Sequence, residues 1–254
     1  VFCLLFVALG LASNPAAAAE KQIEVGAALV VVHGTHTEVS GRATAPAIPA
    51  PLLYANVRTG RLTLSAEGIP PLGHLRVLNS SLGLNSIELS YLSGMLSYHV
   101  TPRTSLGLGE TIYNQETTYN LGMSGGGSSA IRLEQTDRSR AVGTRYSIES
   151  ILMDRPRSNL VAHVGFNPRM TGIIGERLDL YRAGRSTSHS PWTVQPEAGS
   201  QFDATLAAQV QTRKLQIGYG IRYLNLVMRF PDGTLADRNA FVIPFISVGT
   251  VLGR

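Results

Sequence analysis

Charged and amide side chains recur at even spacings within stretches that are apolar at every second position. Arg145 and Glu149 lie four residues apart, and so do His163 and Asn167. Residues an even number apart on a β-strand point to the same face of a sheet. Each stretch therefore gathers its hydrogen-bonding groups on one face. The same pattern places further polar groups together on later stretches: Asp203, Gln209, Gln216 and Arg222.

Two kinds of chemistry suit this set. A nucleophilic site needs a histidine beside an acid and a serine; His163 and Glu149 lie on stretches joined by a short turn, and serine is plentiful. The other is a structural network, because enclosed charges must be paired or hydrogen-bonded. We favour the network and expect no enzymatic activity; a narrow polar pore or a small-molecule site is the functional alternative. Within the network we expect Arg222 to pair with Asp203 or, as second candidate, with Glu149.

The remaining candidates for chemistry are weak. Two histidines, His33 and His36, are three residues apart without a third ligand nearby, so no metal site is predicted. The glycine-rich stretch 125–129 lacks the Gly-Lys-Ser/Thr of a phosphate-binding loop, and no cofactor is expected. The other histidines and acids in the connections are scattered, with no paired-carboxylate motif: His74, His189, Glu38, Glu116, Asp179 and Asp237.

The start of the chain predicts export. Residues 2–12 are an apolar run, shorter than the ~20 residues of a transmembrane helix. Ala17 and Ala19 satisfy the small-x-small rule for cleavage after residue 19. We therefore predict a signal peptide over 1–19 and a mature domain over 20–254. The only cysteine, Cys3, lies in the predicted signal, so the mature chain is expected to have no disulfide.

The stretch KLQIGYGIRYLNL, residues 214–226, shows the alternation most clearly. Large apolar residues at the odd positions from 215 to 223 alternate with lysine, glutamine, glycine and arginine. Gly218 and Gly220 on the polar face are expected to make room for larger side chains. Alternation alone leaves open whether the apolar face meets a core or lipid. Nine further stretches alternate similarly, which predicts ten strands: 23–33, 52–57, 62–67, 87–100, 105–115, 141–153, 159–169, 201–212 and 240–252.

The connections between these stretches alternate in length. In an up-and-down meander, this order places every short turn at one end and every long connection at the other. The short turns are 58–61, 101–104, 154–158 and 212–214, and the long connections are 34–51, 68–86, 116–138, 171–200 and 229–238.

This layout resembles that of bacterial outer-membrane β-barrels, a class of Gram-negative cell-envelope proteins. The stretch 91–115, YLSGMLSYHVTPRTSLGLGETIYNQ, is similar to one of their hairpins. The resemblance covers essentially all of 20–254 and points to no specific family. It implies an all-β, transmembrane up-and-down antiparallel β-barrel of about ten strands, with short periplasmic turns and long extracellular loops. Such barrels usually end in an aromatic residue that the assembly machinery reads, and Arg254 departs from this pattern.

The resemblance also implies where the protein works. We expect a location in the cell outer membrane, with outer-membrane lipids and the barrel-assembly machinery as partners, no nucleic acid, and a ligand that the sequence does not name. Side chains largely fill a barrel of this size, which favours a structural, narrow porin-like or surface-interaction role. The alternatives are an outer-membrane hydrolase of lipids or peptides and a soluble secreted binding barrel. Most of the predicted strands have at least 11 residues, which favours the membrane, since globular strands average ~5–6.

Basic residues crowd the short turns. The net charge of the chain is +5, and Asp154 is the single acid among these turn residues. Anionic lipid head groups attract such clusters near a membrane surface. We therefore predict head-group contact at the periplasmic leaflet by a turn ring of seven residues: Arg58, Arg61, Arg103, Arg155, Arg157, Arg213 and Lys214.

Overall fold

The protein is described from a computed structural model, which covers residues 21–38, 41–71, 75–76, 84–124, 131–182, 185–212 and 214–252. The predicted signal peptide and Arg213 lie outside the described residues. Within these ranges the chain is almost entirely β-strand and includes no helix that could cross a membrane.

Ten long strands form a closed antiparallel barrel. Each pairs with the next along the chain, and the last pairs with the first. This confirms the predicted fold class and strand number. The strands are β1 (Lys21–Glu38), β2 (Gly41–Thr59), β3 (Leu62–Ile69), β5 (Leu84–Thr101), β6 (Thr104–Ser124), β7 (Ile131–Arg155), β8 (Ser158–Arg182), β10 (Thr193–Gln211), β11 (Leu215–Arg229) and β12 (Leu235–Leu252); two short strands, β4 (Leu75–Arg76) and β9 (Arg185–His189), pair with β5 and β8.

The two ends of the barrel differ as predicted. Tight turns join β2 to β3, β5 to β6, β7 to β8 and β10 to β11. The first residues of β1 and the last residues of β12 lie at the same end of the barrel. Gly60 adopts a φ of 57° in the first of these turns, which a glycine does without steric cost. We call this the short-turn end and the opposite one the long-loop end.

The predicted bounds of the long connections are wrong. The described residues of 34–51 are all strand, because β1 and β2 pair up to Glu38 and Gly41. Most of 116–138 and 171–200 is also strand, because β6 and β7 continue their pairing to Ser124 and Ile131, and β8 continues to Arg182. The reason is that these extensions leave the apolar layer. Their outward faces mix charged residues such as Glu116 and Arg138 with exposed apolar ones such as Ile173, so the regular alternation that marks a strand in the sequence is lost while the backbone ladder persists.

The outer surface of the barrel is apolar. On β11 the side chains of Leu215, Ile217, Tyr219, Ile221 and Tyr223 are 40–58% exposed, so the apolar ribbon of this strand faces outward. Every other long strand also carries exposed large apolar side chains of the same kind: Leu29, Leu53, Leu62, Leu96, Leu108, Tyr146, Phe166, Leu206 and Ile246. An apolar exterior around a polar interior is the arrangement of a transmembrane barrel.

The edge of the apolar layer can be located from strand register. Going toward the long-loop end on β5, β6 and β7, an apolar row gives way to a polar row and then to a charged row. We take the polar row as the outer boundary. The three rows are Leu92–Ile112–Val142, Ser90–Asn114–Arg140 and Glu88–Glu116–Arg138.

Candidate functional site

Arg145 lies at the centre of the barrel interior and is 1% exposed. Its Nη1 donates to Tyr91 Oη at 2.9 Å and to Ser93 Oγ at 3.1 Å. Its Nη2 donates to Asp203 Oδ1 at 2.5 Å and to His163 Nε2 at 3.0 Å. A guanidinium only donates, so His163 must accept at Nε2 and is neutral in this arrangement. The network therefore holds a charged arginine by one acid and three uncharged partners.

A second arginine extends this network across the lumen. Arg222 Nη2 lies 3.0 Å from Glu67 Oε1, and its Nε donates to Thr205 Oγ1 at 3.0 Å. The same glutamate oxygen lies 3.5 Å from Arg145 Nη1. Charges therefore alternate from Asp203 through Arg145 and Glu67 to Arg222. We call these four residues the lumen network. Its residues come from β3, from β7 and from the neighbouring strands β10 and β11.

The expected pairing of Arg222 with Asp203 or Glu149 is wrong. Asp203 is in register with Leu224, two residues beyond Arg222, and Arg145 holds its carboxylate. Glu149 instead lies 3.9 Å from His163. Arg222 is bound by Glu67 from across the lumen, a partner that sequence reasoning did not single out. The sequence could have shown that Glu67 faces the interior, because its position is odd whereas the outward residues of β3 are at even positions: Leu62, Leu64 and Ala66.

All eight predicted lumen residues face the interior. Asn167 is fully buried, and its Nδ2 donates to the carbonyl oxygen of Gly143 at 3.3 Å. Gln209, Gln216 and Glu149 lie nearer the short-turn mouth and line the interior cavity described below. The glycines of β11 make room as expected: a Cβ on Gly220 would lie 2.8 Å from the inward Phe245 ring.

The predicted turn ring divides between two surfaces. Arg61, Arg103, Arg155, Arg157 and Lys214 are exposed at the short-turn end. Arg58 is different. It is adjacent in β2 to the outward-facing Val57, so its own side chain faces the interior and lines the mouth of the lumen. Arg213 lies outside the described residues.

An interior cavity of about 520 Å³ extends from the short-turn mouth past the lumen network, as far as Val32, Tyr113 and Phe241. One sector of its wall is apolar and is built mainly by β1, β2 and β12. Beyond it a second apolar cluster fills the lumen toward the long-loop end, with Met170, Leu226 and Met228 at most 1% exposed. No group of three metal-ligating side chains occurs in the described ranges.

The long-loop end brings together acids and histidines that looked scattered in the sequence. His36 Nδ1 lies 3.0 Å from Asp237 Oδ1, and both side chains are buried. His189 Nδ1 contacts Asp179 Oδ1 on the β8–β9 hairpin, beyond the outer boundary. Burial alone would raise the pKa of Asp179. Hydrogen bonds from His189 and Arg177, with the positive charge of Arg177, outweigh burial and lower that pKa below its ordinary value.

Solved barrel structures are similar to this chain in fold alone. The Escherichia coli outer membrane protease OmpT is 10% identical, with 91% of this chain and 95% of OmpT covered and a TM-score of 0.48. The P. putida toluene transporter TodX is 12% identical, with coverages of 95% and 93% and a TM-score of 0.38. Neisserial surface protein A is 11% identical, with coverages of 91% and 96% and a TM-score of 0.29. No protein-family model matches the sequence, and no curated protein matches it.

Proposed function

We propose that the protein is an outer-membrane β-barrel of a Gram-negative cell with a plugged lumen, whose main role is structural. The observation that carries this proposal is the lumen network, which ties opposite walls together by alternating charges at 2.5–3.5 Å. Open aqueous channels belong to barrels of about 16 strands or more. A ten-stranded barrel with this network and an apolar cluster beyond it has no room for a wide pore.

The export route and orientation belong to the same proposal. A signal peptide over 1–19 would direct the chain to the envelope, and the barrel-assembly machinery would insert it. The short-turn end would then face the periplasm and the long-loop end the outside, as in barrels of this layout.

Planar-bilayer recording tests the plug. The wild-type protein is expected to show no steady conductance, because paired buried charges hold the lumen closed. The double variant Glu67→Ala/Arg222→Ala removes a matched pair, so it leaves no uncompensated charge from that pair. It is expected to show brief openings. A stable unitary conductance in the wild type would contradict the plug and favour a narrow pore.

We further propose that the exposed arginines of the turn ring contact anionic head groups of the periplasmic leaflet. Each basic residue near such a surface contributes about 1 kcal/mol, so Arg103→Glu should weaken folding into anionic vesicles by about 2 kcal/mol. Folding into zwitterionic vesicles should change little. The matched control is Arg58→Glu, which reverses a charge at the lumen mouth and should show a weaker lipid dependence. Equal losses in both kinds of vesicle for Arg103→Glu would rule out head-group contact.

A further inference from the structure

The β8–β9 hairpin holds a serine, a histidine and an aspartate in one hydrogen-bonded chain. Ser186 Oγ lies 3.2 Å from His189 Nε2, and His189 Nδ1 contacts Asp179 Oδ1. The two contacts use opposite nitrogens of one imidazole. This is the order of nucleophile, base and orienting acid that activates a serine.

A β-bulge creates this arrangement. Ser186 and His189 are three residues apart, and in a regular strand their side chains would point to opposite faces. The register shifts here, because Leu180 pairs with Ser188 while Tyr181 pairs with Ser186, which leaves Thr187 as the extra residue. The bulge therefore turns serine and histidine toward the same side. Bulges re-aim side chains in this way beside active sites.

The acid of this cluster is buried, whereas the histidine and the serine are exposed, as a hydrolytic site requires. The Asp179 side chain is 2% exposed, the His189 side chain is 58% exposed, and Ser186 is exposed. Arg177 holds the second aspartate oxygen, with Nη2 at 3.0 Å and Nε at 3.2 Å from Oδ2. The aspartate is thus fixed as a carboxylate that accepts the Nδ1 proton of His189. Nε2 is then left free to accept a proton from Ser186.

Positive charge lies at the tip of the hairpin, next to the serine in the chain but on the opposite face of the strand. Arg182 and Arg185 face each other in register at the tip of the hairpin, and both are exposed. Arg185 directly precedes Ser186 in the chain. A substrate with a negative charge near its scissile bond would be drawn to this tip, one residue from the serine.

We propose that Ser186, His189 and Asp179 form a serine hydrolase site for carboxylic esters that carry a negative charge. Ser186 Oγ attacks the ester carbonyl carbon while its proton passes to His189 Nε2. The ester C–O bond then breaks, and the alcohol leaves with that proton. Water attacks the acyl-serine, gives a proton to His189 and releases the acid, and the proton returns to Ser186 Oγ. This activity is additional to the plugged barrel and does not depend on it.

A fluorophosphonate probe on the folded, membrane-inserted protein tests the nucleophile. Peptide mapping is expected to find the label on Ser186, and Ser186→Ala should abolish labelling. Ser188→Ala is the matched control, two residues along the same strand, and should label like the wild type. Heat-modifiable gel migration shows that each variant has kept its barrel. Absent labelling of a folded wild type, or label that persists in Ser186→Ala, would overturn the proposal.

Ester hydrolysis tests the roles of the other residues. With mono-4-nitrophenyl succinate as probe, His189→Gln should lower kcat by about 100-fold or more, the usual contribution of a general base. Asp179→Asn should lower kcat with little change in KM, because it misorients the imidazole. Arg182→Ala/Arg185→Ala should raise KM for this anionic ester and not for 4-nitrophenyl acetate. Equal KM changes for both esters would exclude charge selection, and wild-type kcat in His189→Gln would exclude the triad.

Discussion

Replacing Arg145 with methionine is expected to lower the free energy of unfolding of the barrel by about 3–5 kcal/mol, the usual cost of removing one partner of a buried ion pair. Methionine keeps much of the volume but donates no hydrogen bond. Asp203, 1% exposed, would be left without the guanidinium that holds it, and Tyr91 and Ser93 would lose their donor. Urea titration of the protein refolded in lipid vesicles measures the change.

Two further variants separate this effect from a general loss of positive charge. Arg140→Met alters an exposed arginine on the same strand, which faces outward, and should change stability by less than about 0.5 kcal/mol. The double variant Arg145→Met/Asp203→Leu removes both charges of the pair and should recover most of the loss, because uncharged residues of similar volume often replace a buried pair without penalty. A double variant no more stable than Arg145→Met would show that the buried charge is not the cause.

The faces of the strands were predictable from the sequence because, away from bulges, the direction in which a side chain points depends on its parity along a strand. Arg145, Asn167, Asp203 and Arg222 were all placed in the interior on this basis, and the structure puts them there. The strand number followed from the same alternation together with the turn residues. These are local properties, and local spacing determines them.

The pairing inside the lumen was not predictable in the same way. The partner of Arg222 comes from β3, which is far along the chain and on another side of the barrel. Which walls approach each other depends on strand tilt and on the stagger of the closed sheet. The spacing of residues along one strand determines neither quantity, so the sequence favoured Asp203 on the neighbouring strand and did not single out Glu67.

The cluster of Ser186, His189 and Asp179 could not be predicted from the sequence for a different reason. The stretch 171–200 lacks alternation, so its residues appeared to belong to an irregular loop. The structure instead continues β8 and folds β9 back on it, which places His189 opposite Asp179. Ser186 and His189 are three residues apart, and without the bulge this odd spacing would place them on opposite faces. Strand pairing beyond the membrane and a single inserted residue together produce the site.

An arginine at the middle of the lipid-facing surface should hinder the barrel more than one at its edge. Ile221 is 48% exposed and lies about midway between Leu215, beside the short turn, and Asn225, the first polar residue on the outward face of β11. Ile221→Arg is expected to cost about 2–4 kcal/mol of folding free energy in a bilayer, while Leu215→Arg should cost about 0–1 kcal/mol, because the penalty falls toward the interface. Both side chains point outward, so the lumen network is the same in both variants.

Folding yield into vesicles, read from heat-modifiable migration, and urea unfolding measure both variants. In detergent micelles, which adapt to a charged side chain, the difference between them should shrink. A soluble barrel would behave otherwise, since an exposed isoleucine replaced by arginine would then be tolerated equally at either position. Equal small costs for Ile221→Arg and Leu215→Arg in vesicles would therefore contradict the assignment of the apolar ribbon to lipid. A depth-dependent cost would establish that β11 crosses the bilayer with Ile221 near its middle.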